Sequence, residues 1–182
     1  MIIPPTEITT DRLFLRPPQP EDAFAILTKY AQDPEVVKYL VWKPHKNIET
    51  TKAYIHNCLE SWETGNSYPW VIINKTDKEL IGMFELRISQ PKADFGYVLA
   101  KSYWRKGFAT EVTRSVIDWV KSQDTILMIY AVCDIENGAS ASVMEKAGLQ
   151  KTGILPRHII HPNISSEPRD CFFYCMEKGI DF

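Results

Sequence analysis

Three groups of residues have types and spacings suited to chemistry. The first is the run Tyr103-Trp104-Arg105-Lys106-Gly107-Phe108-Ala109-Thr110-Glu111. Gly107 permits backbone angles and a close ligand approach that a side chain would hinder. The residues after it open an amphipathic stretch ending near Gln123, so their first N–H groups lack helical partners and attract an anion. Arg105 and Lys106 add positive charge. A strand, a basic glycine turn and a helix start together describe a phosphate cradle. The alternative is an ordinary strand-to-helix turn with solvated basic residues. The second group is Glu85 and Asp94, carboxylates in strand-like segments that could accept a proton as general bases. Strand carboxylates are more often simply solvated or paired. The third is Asn137 and Ser140, one helical turn apart and so on one face. Asn137 offers an amide to a ligand or an N-cap to its helix; Ser140 offers a hydroxyl. Tyr97, Tyr130 and Tyr174 are further hydroxyl donors.

Other chemistries find little support. The glycine turn lacks the lysine–serine/threonine pair of a Walker loop and the three glycines of a dinucleotide fingerprint. His45, His56, His158 and His161 are the only histidines, and no nucleophile-elbow pattern accompanies them. Cys58, Cys133, Cys171 and Cys175 form no CxxC pair and no zinc-ligand spacing, so no metal is expected. All four lie in apolar segments, as buried free thiols do. A formal net charge of -2 gives no sign of a general nucleic-acid binder. No apolar run is long enough to span a membrane, and the N-terminus shows no basic-then-apolar signal pattern. A cytoplasmic location is the default expectation.

The elements that must position these groups can be read from the apolar pattern. With 182 residues, 45% hydrophobic and 24% charged, the chain has room for one domain over 1–182 with a sizeable core. The alternation from Ile8 to Arg16 predicts a first strand, ended by Pro17, Pro18 and Pro20. A helix follows, with Ala23, Ile26, Leu27 and Tyr30 inward, broken at Asp33-Pro34. The aromatic-bearing loop Val36–Lys46 either lines a binding site or folds over the core. A second helix spans about Ile48 to Glu63 and stops at Gly65. Tyr68–Asn74, Glu79–Ile88 and Asp94–Ala100 read as an antiparallel meander. The helix after Gly107 crosses to a strand at Leu127–Asp134, which makes that strand a parallel neighbour of the one before Gly107. A short helix, Asn137–Ala147, is capped by Gly148. Leu149–Ile160 and Asp170–Lys178 read as closing strands. The class is α+β with a mixed sheet.

These pieces, in this order, resemble the GNAT N-acetyltransferase superfamily. The nearest likeness is to its branch of RimJ/RimL-like ribosomal-protein alanine N-acetyltransferases. Thr10-Asp11-Arg12-Leu13-Phe14-Leu15-Arg16 is similar to that branch's first strand, and Phe95-Gly96-Tyr97-Val98-Leu99 to its fourth. Trp104 to Glu111 resembles its acetyl-CoA loop, although Trp104 stands where the superfamily usually has Gln or Arg, and no side-chain role is expected of it. Asn137-Gly138-Ala139-Ser140 and Lys146-Ala147-Gly148-Leu149 resemble its last helix and the following turn. The resemblance implies a mixed, mostly antiparallel twisted sheet with a V-shaped opening between two central parallel strands, flanked by about four helices. It implies acetyl-CoA as co-substrate in that opening. Val98 and Leu99 would bond its pantetheine arm through the main chain. Arg105, Lys106, Gly107, Phe108, Ala109 and Thr110 would hold its diphosphate. Asn137 would bond the arm, and Ser140 would stand near the sulfur. The reaction implied is direct attack of a primary amine on the thioester, with a main-chain N–H near Val98 as oxyanion donor. A protein N-terminal α-amine is the first expectation. A small amine such as an antibiotic or polyamine, or a non-catalytic acyl-CoA sensor, is the alternative. An exposed sheet edge leaves a homodimer open.

Overall fold

The computed structural model describes residues 2–178. Eight strands form one sheet: β1 (Ile8–Thr9), β2 (Leu13–Arg16), β3 (Tyr68–Asn74), β4 (Leu80–Ser89), β5 (Lys92–Leu99), β6 (Met128–Asp134), β7 (Gln150–Ile159) and β8 (Arg169–Glu177). Their spatial order is β1-β2-β3-β4-β5-β6-β8-β7. β3, β4 and β5 are the expected antiparallel meander. β5 and β6 are parallel, as the crossover between them requires.

Helices cover both faces. α1 (Ala23–Ile26) and α2 (Ile48–Thr64) lie on one, and α3 (Phe108–Lys121) and α4 (Gly138–Lys146) on the other. The two-residue period of the strands divides the core accordingly. Trp70, Phe84, Leu86, Phe95 and Leu99 pack with Phe108, Val112, Val116 and Met144 of α3 and α4. Val71, Met83 and Val98 pack with Ile26, Ile55 and Cys58 of α1 and α2. α2 starts where Asn47 accepts from the Thr50 N–H at 3.0 Å. It stops at Gly65, whose φ of 73° is the left-handed cap expected there. All four cysteines are free and buried.

The structure departs from the sequence expectation near the N-terminus. The single strand over Ile8–Arg16 is a tight hairpin, with Ile8 opposite Leu15 and Thr9 opposite Phe14. Thr10 closes it: its N–H donates to Leu13 O and its hydroxyl accepts from the Leu13 N–H, both at 3.0 Å. Alternation reads the same through a hairpin as through one strand, so the pattern hid the turn. The first helix is also less regular than its periodicity suggests, passing from a 3-10 turn at Pro20–Asp22 through α1 to a π-helical turn at Leu27–Ala31. The loop over 36–46 folds over α2. Trp42 packs on His45 and Tyr54, with ring centroids 5.0 and 6.3 Å away. Asn163 ties this loop to the turn after β7, donating to Val37 O and Trp42 O at 2.7 and 2.8 Å.

Candidate active site

The sheet opens between β5 and β6. They pair only where Lys92, Ala93 and Asp94 meet Met128, Ile129 and Tyr130. From Phe95 and Ala131 onward the two strands are not paired with each other, which leaves main-chain groups in the gap without strand partners. The Ala100 N–H donates to Ile81 O at 2.8 Å. Antiparallel alternation then turns Val98 to β4 and leaves Tyr97 and Leu99 facing the gap. Gly82 on β4 agrees: a Cβ there would lie 2.1 Å from the Val98 carbonyl oxygen. So of Val98 and Leu99, the geometry aims Leu99 at the opening. Its carbonyl is already engaged, because the Trp104 indole N–H donates to it at 2.7 Å. Trp104 therefore has a structural role that the sequence reading denied it: it braces the turn against the end of β5.

That turn has features suited to an anion. Arg105 and Gly107 have φ of 59° and 81°, both left-handed, so the chain turns sharply just before the helix. Gly107 is the N-cap of α3 and offers no side-chain cap. The first-turn N–H groups of Phe108, Ala109 and Thr110 have no intrahelical acceptor by construction. Arg12 braces the turn and shares the groove beside Gly107. Its guanidinium donates to Lys106 O at 3.0 Å and to Glu111 at 2.6 Å, and lies 4.5 Å from the Phe108 ring centroid. Glu111 also accepts from the Thr10 hydroxyl at 2.6 Å and the Arg12 N–H at 2.9 Å. Burial opposes the charge on Glu111, but these hydrogen bonds outweigh it and hold its carboxyl below the ordinary value. An open groove of about 680 Å³ runs from Gly107 along α3, lined also by Arg114 and Lys146.

Asn137 fulfils the capping alternative: its Oδ1 accepts from the Ser140 N–H at 3.2 Å. The cap uses the oxygen and leaves the amide NH2 to donate elsewhere. Ser140 Oγ lies 3.5 Å from the Tyr97 hydroxyl, across from β5. Burial pushes the Tyr97 hydroxyl up to about 12, so it remains a proton holder at neutral pH. Tyr174 is committed elsewhere, donating to Glu145 at 2.8 Å.

Glu85 and Asp94 come together on the face covered by α1 and α2, beside the closed end of the gap. Between them lies Arg87, which donates to Glu85 Oε2 and Asp94 Oδ1, both at 2.7 Å. Burial works against the guanidinium charge, but its bonds to Asp94 and Glu85 prevail and raise its pKa. Gly96, opposite Glu85, has no side chain to close the sheet there. Tyr130 stands next to Asp94 in the register and stacks on Phe173 at 5.4 Å.

Sequence reasoning missed Arg12, Arg87 and a third group at the end of β6. Asp134, fully buried, pairs with Arg169 Nε at 2.5 Å, and His161 Nε2 lies 3.7 Å away. Burial pushes the His161 ring down despite the neighbouring carboxylate. Among the described residues, neither nitrogen of that ring has a hydrogen-bond partner. No spacing in the sequence links 12 to 111, or 134 to 161 and 169. The one local signal was Glu85-x-Arg87, two charges on one strand face. Among the described residues, no group of three or more His, Cys, Asp or Glu could hold a metal.

A sheet splayed between two parallel strands, with a glycine turn and helix start at the strand end and a carboxylate pair on the opposite face, is an arrangement that suits an acyl-CoA-dependent acyltransferase. The profile of the acetyltransferase (GNAT) domain family matches residues 12–150. The uncharacterized N-acetyltransferase YoaA of Bacillus subtilis is 30% identical over 174 residues, which cover 94% of this chain and 96% of that one. Two solved structures share the fold. One is the Microcin C7 self-immunity acetyltransferase MccE in complex with acetyl-CoA and AMP (TM-score 0.85, 20% identity, 96% and 98% of the two chains). The other is RimL, the ribosomal L7/L12 alpha-N-protein acetyltransferase, in complex with coenzyme A (TM-score 0.82, 17% identity, 96% and 99%). The chain belongs to the GNAT acetyltransferase family and is an N-acetyltransferase. No helix among the described residues is long and apolar enough to cross a membrane.

Proposed function

We propose that the protein acetylates a protein N-terminal α-amine. The carboxylate pair at the closed end of the gap carries this reading, because it lies on the face opposite the diphosphate cradle. The two substrates then meet through the sheet, one from each side. Gly107, Phe108, Ala109 and Thr110 hold the diphosphate on main-chain N–H groups, and Arg105 and Lys106 add charge around it. The main chain of Tyr97 and Leu99 lines the pantetheine arm, and the Asn137 amide donates to it. Acetyl-CoA supplies the acyl group: the amine nitrogen bonds to the carbonyl carbon, the carbon–sulfur bond breaks, and of the two protons the ammonium loses, one ends on the thiol and one in solvent.

The chain's own groups manage charge and protons. Glu85 or Asp94 accepts the first proton from the ammonium, directly or through water. The Leu99 N–H, facing the gap, takes over the oxyanion role expected near Val98. Ser140 hydrogen-bonds the departing sulfur. An α-amine, with a reference pKa of about 7.7–8.0 against about 10.4 for lysine, is already partly neutral at pH 7. It suits carboxylates that are 39% and 24% exposed rather than a buried, specialised base. The likeness to RimL supports the same acceptor. A small amine is the second reading, supported by the likeness to MccE.

The test is thiol release from acetyl-CoA against peptides with free N-termini, N-terminally blocked peptides carrying lysine, and small amines, with products weighed by mass spectrometry. Acetylation confined to free N-termini supports the proposal. Turnover of small amines alone favours the second reading. Binding of acetyl-CoA without thiol release from any acceptor means a sensor.

A further inference from the structure

We propose that Arg87 is the positioning residue of the acceptor-amine site, tying down one oxygen of each carboxylate and limiting the site's net charge so that a bound ammonium can still give up its proton. The inference rests on the preceding reading of Glu85 and Asp94. Its basis is the fork geometry. Arg87 reaches Glu85 with Nη1 and Asp94 with Nε and Nη2, so one planar group spans β4 and β5. The ion pairs use Glu85 Oε2 and Asp94 Oδ1. Glu85 Oε1 remains for another donor, and Tyr130 is the neighbour of Asp94. Two carboxylates and one guanidinium carry one net negative charge, the complement of a single ammonium. Acetylation turns that ammonium into a neutral amide, which the site no longer attracts.

The balance matters in both directions. A neutral site would not gather the cation. A site of two negative charges would hold the amine in its protonated, unreactive form, because nearby anions favour the charged state. The other titratable groups facing the cluster are Tyr54 and Cys58 of α2 and Tyr130 of β6. Burial raises all three, Cys58 to about 12, so they stay neutral at working pH and leave the count to Arg87.

The experiment compares wild type, Arg87→Gln, Arg87→Lys, Glu85→Gln and Asp94→Asn. The acceptors are an unblocked alanine-initiated peptide and spermidine, followed by thiol release from pH 6 to 9, with thermal midpoints recorded for each variant. We expect Arg87→Gln to lose about tenfold or more in kcat at pH 7, with no rise in acceptor KM and no change in acetyl-CoA KM. That deficit should shrink as pH rises and the amine loses its proton unaided. Arg87→Lys, which keeps the charge without the fork, should fall between the two. A pH-independent loss in Arg87→Gln, a higher acceptor KM in that variant, or full kcat in Arg87→Lys would overturn the proposal. Arg87→Lys alone decides it should Arg87→Gln fail to fold. The preceding reading fails separately, if Glu85→Gln and Asp94→Asn both turn over like wild type.

Discussion

Replacing Arg12 with alanine should loosen the turn proposed to hold the diphosphate by removing the side chain that braces it. Arg12 Nε and Nη2 each lie 2.6 Å from Glu111 Oε2, and Nη1 donates to Lys106 O at 3.0 Å. A hydrogen bond to a charged group nets about 1.5–3 kcal/mol. The Arg12 side chain is 47% exposed, so solvent screening pulls the figure toward the lower end. Glu111 keeps the Thr10 hydroxyl and the residue 12 N–H in the variant. A net loss of about 1–2 kcal/mol follows, or roughly 2–8 °C in thermal midpoint for a chain of this size. The turn at 105–107 would then have to be ordered on binding. If that ordering costs about 1.4 kcal/mol, acetyl-CoA affinity falls about tenfold. Calorimetric titration and differential scanning fluorimetry read both effects. Because Glu111's carboxyl is depressed in the folded state, its contribution is present above the ordinary glutamate value of about 4.3 and is lost as pH falls through the folded value. The stability gap between wild type and variant should therefore narrow in acid. An unchanged midpoint together with unchanged affinity at pH 7 would refute the argument.

Three further predictions follow from single contacts. Gly107→Glu places a side chain at φ 81° and a negative charge in the cradle; acetyl-CoA affinity should fall by about tenfold or more by titration. Gly82→Ala sets a Cβ 2.1 Å from the Val98 carbonyl, where only backbone movement relieves the clash; a lower thermal midpoint and weaker acetyl-CoA binding are expected, since β4 would push β5 into the gap. Arg169→Ala leaves the buried Asp134 carboxylate without its ion-pair partner; the thermal midpoint should drop by several degrees at pH 7. Burial raises the Asp134 carboxyl, but Arg169, the Glu136 N–H and His161 hold it below its ordinary value. Its stabilisation is thus present above the ordinary aspartate value and lost in acid, where the Arg169→Ala deficit should shrink.

Local pattern carried most of the fold. The glycine turn, the helix from Phe108 to Lys121, the meander and the parallel crossover all follow from apolar period and turn chemistry, and all are present. The hairpin inside Ile8–Arg16 did not follow, because alternation survives a tight turn. The brace on the glycine turn was invisible for a different reason. Arg12 and Glu111 are distant in sequence, and charged residues on a strand and a helix read as solvated faces until the fold joins them. Trp104 was misjudged because the family position suggested a ligand role or none; its bond to Leu99 O is a local brace. Glu85 and Asp94 were legible as candidates, but nothing in the sequence says that Arg87 reaches both. Main-chain direction at Val98 and Leu99 depends on register, which only the pairing with β4 fixes.

One ligand is expected to thread the splayed strands from the Gly107 turn to the carboxylate face. A crystal structure of the protein with coenzyme A tests it most directly. The diphosphate should rest on the N–H groups of Gly107 to Thr110, with the pantetheine arm between 95–99 and 131–134 and the sulfur near Ser140. A diphosphate bound away from that helix start, or an arm lying outside the gap, would contradict it.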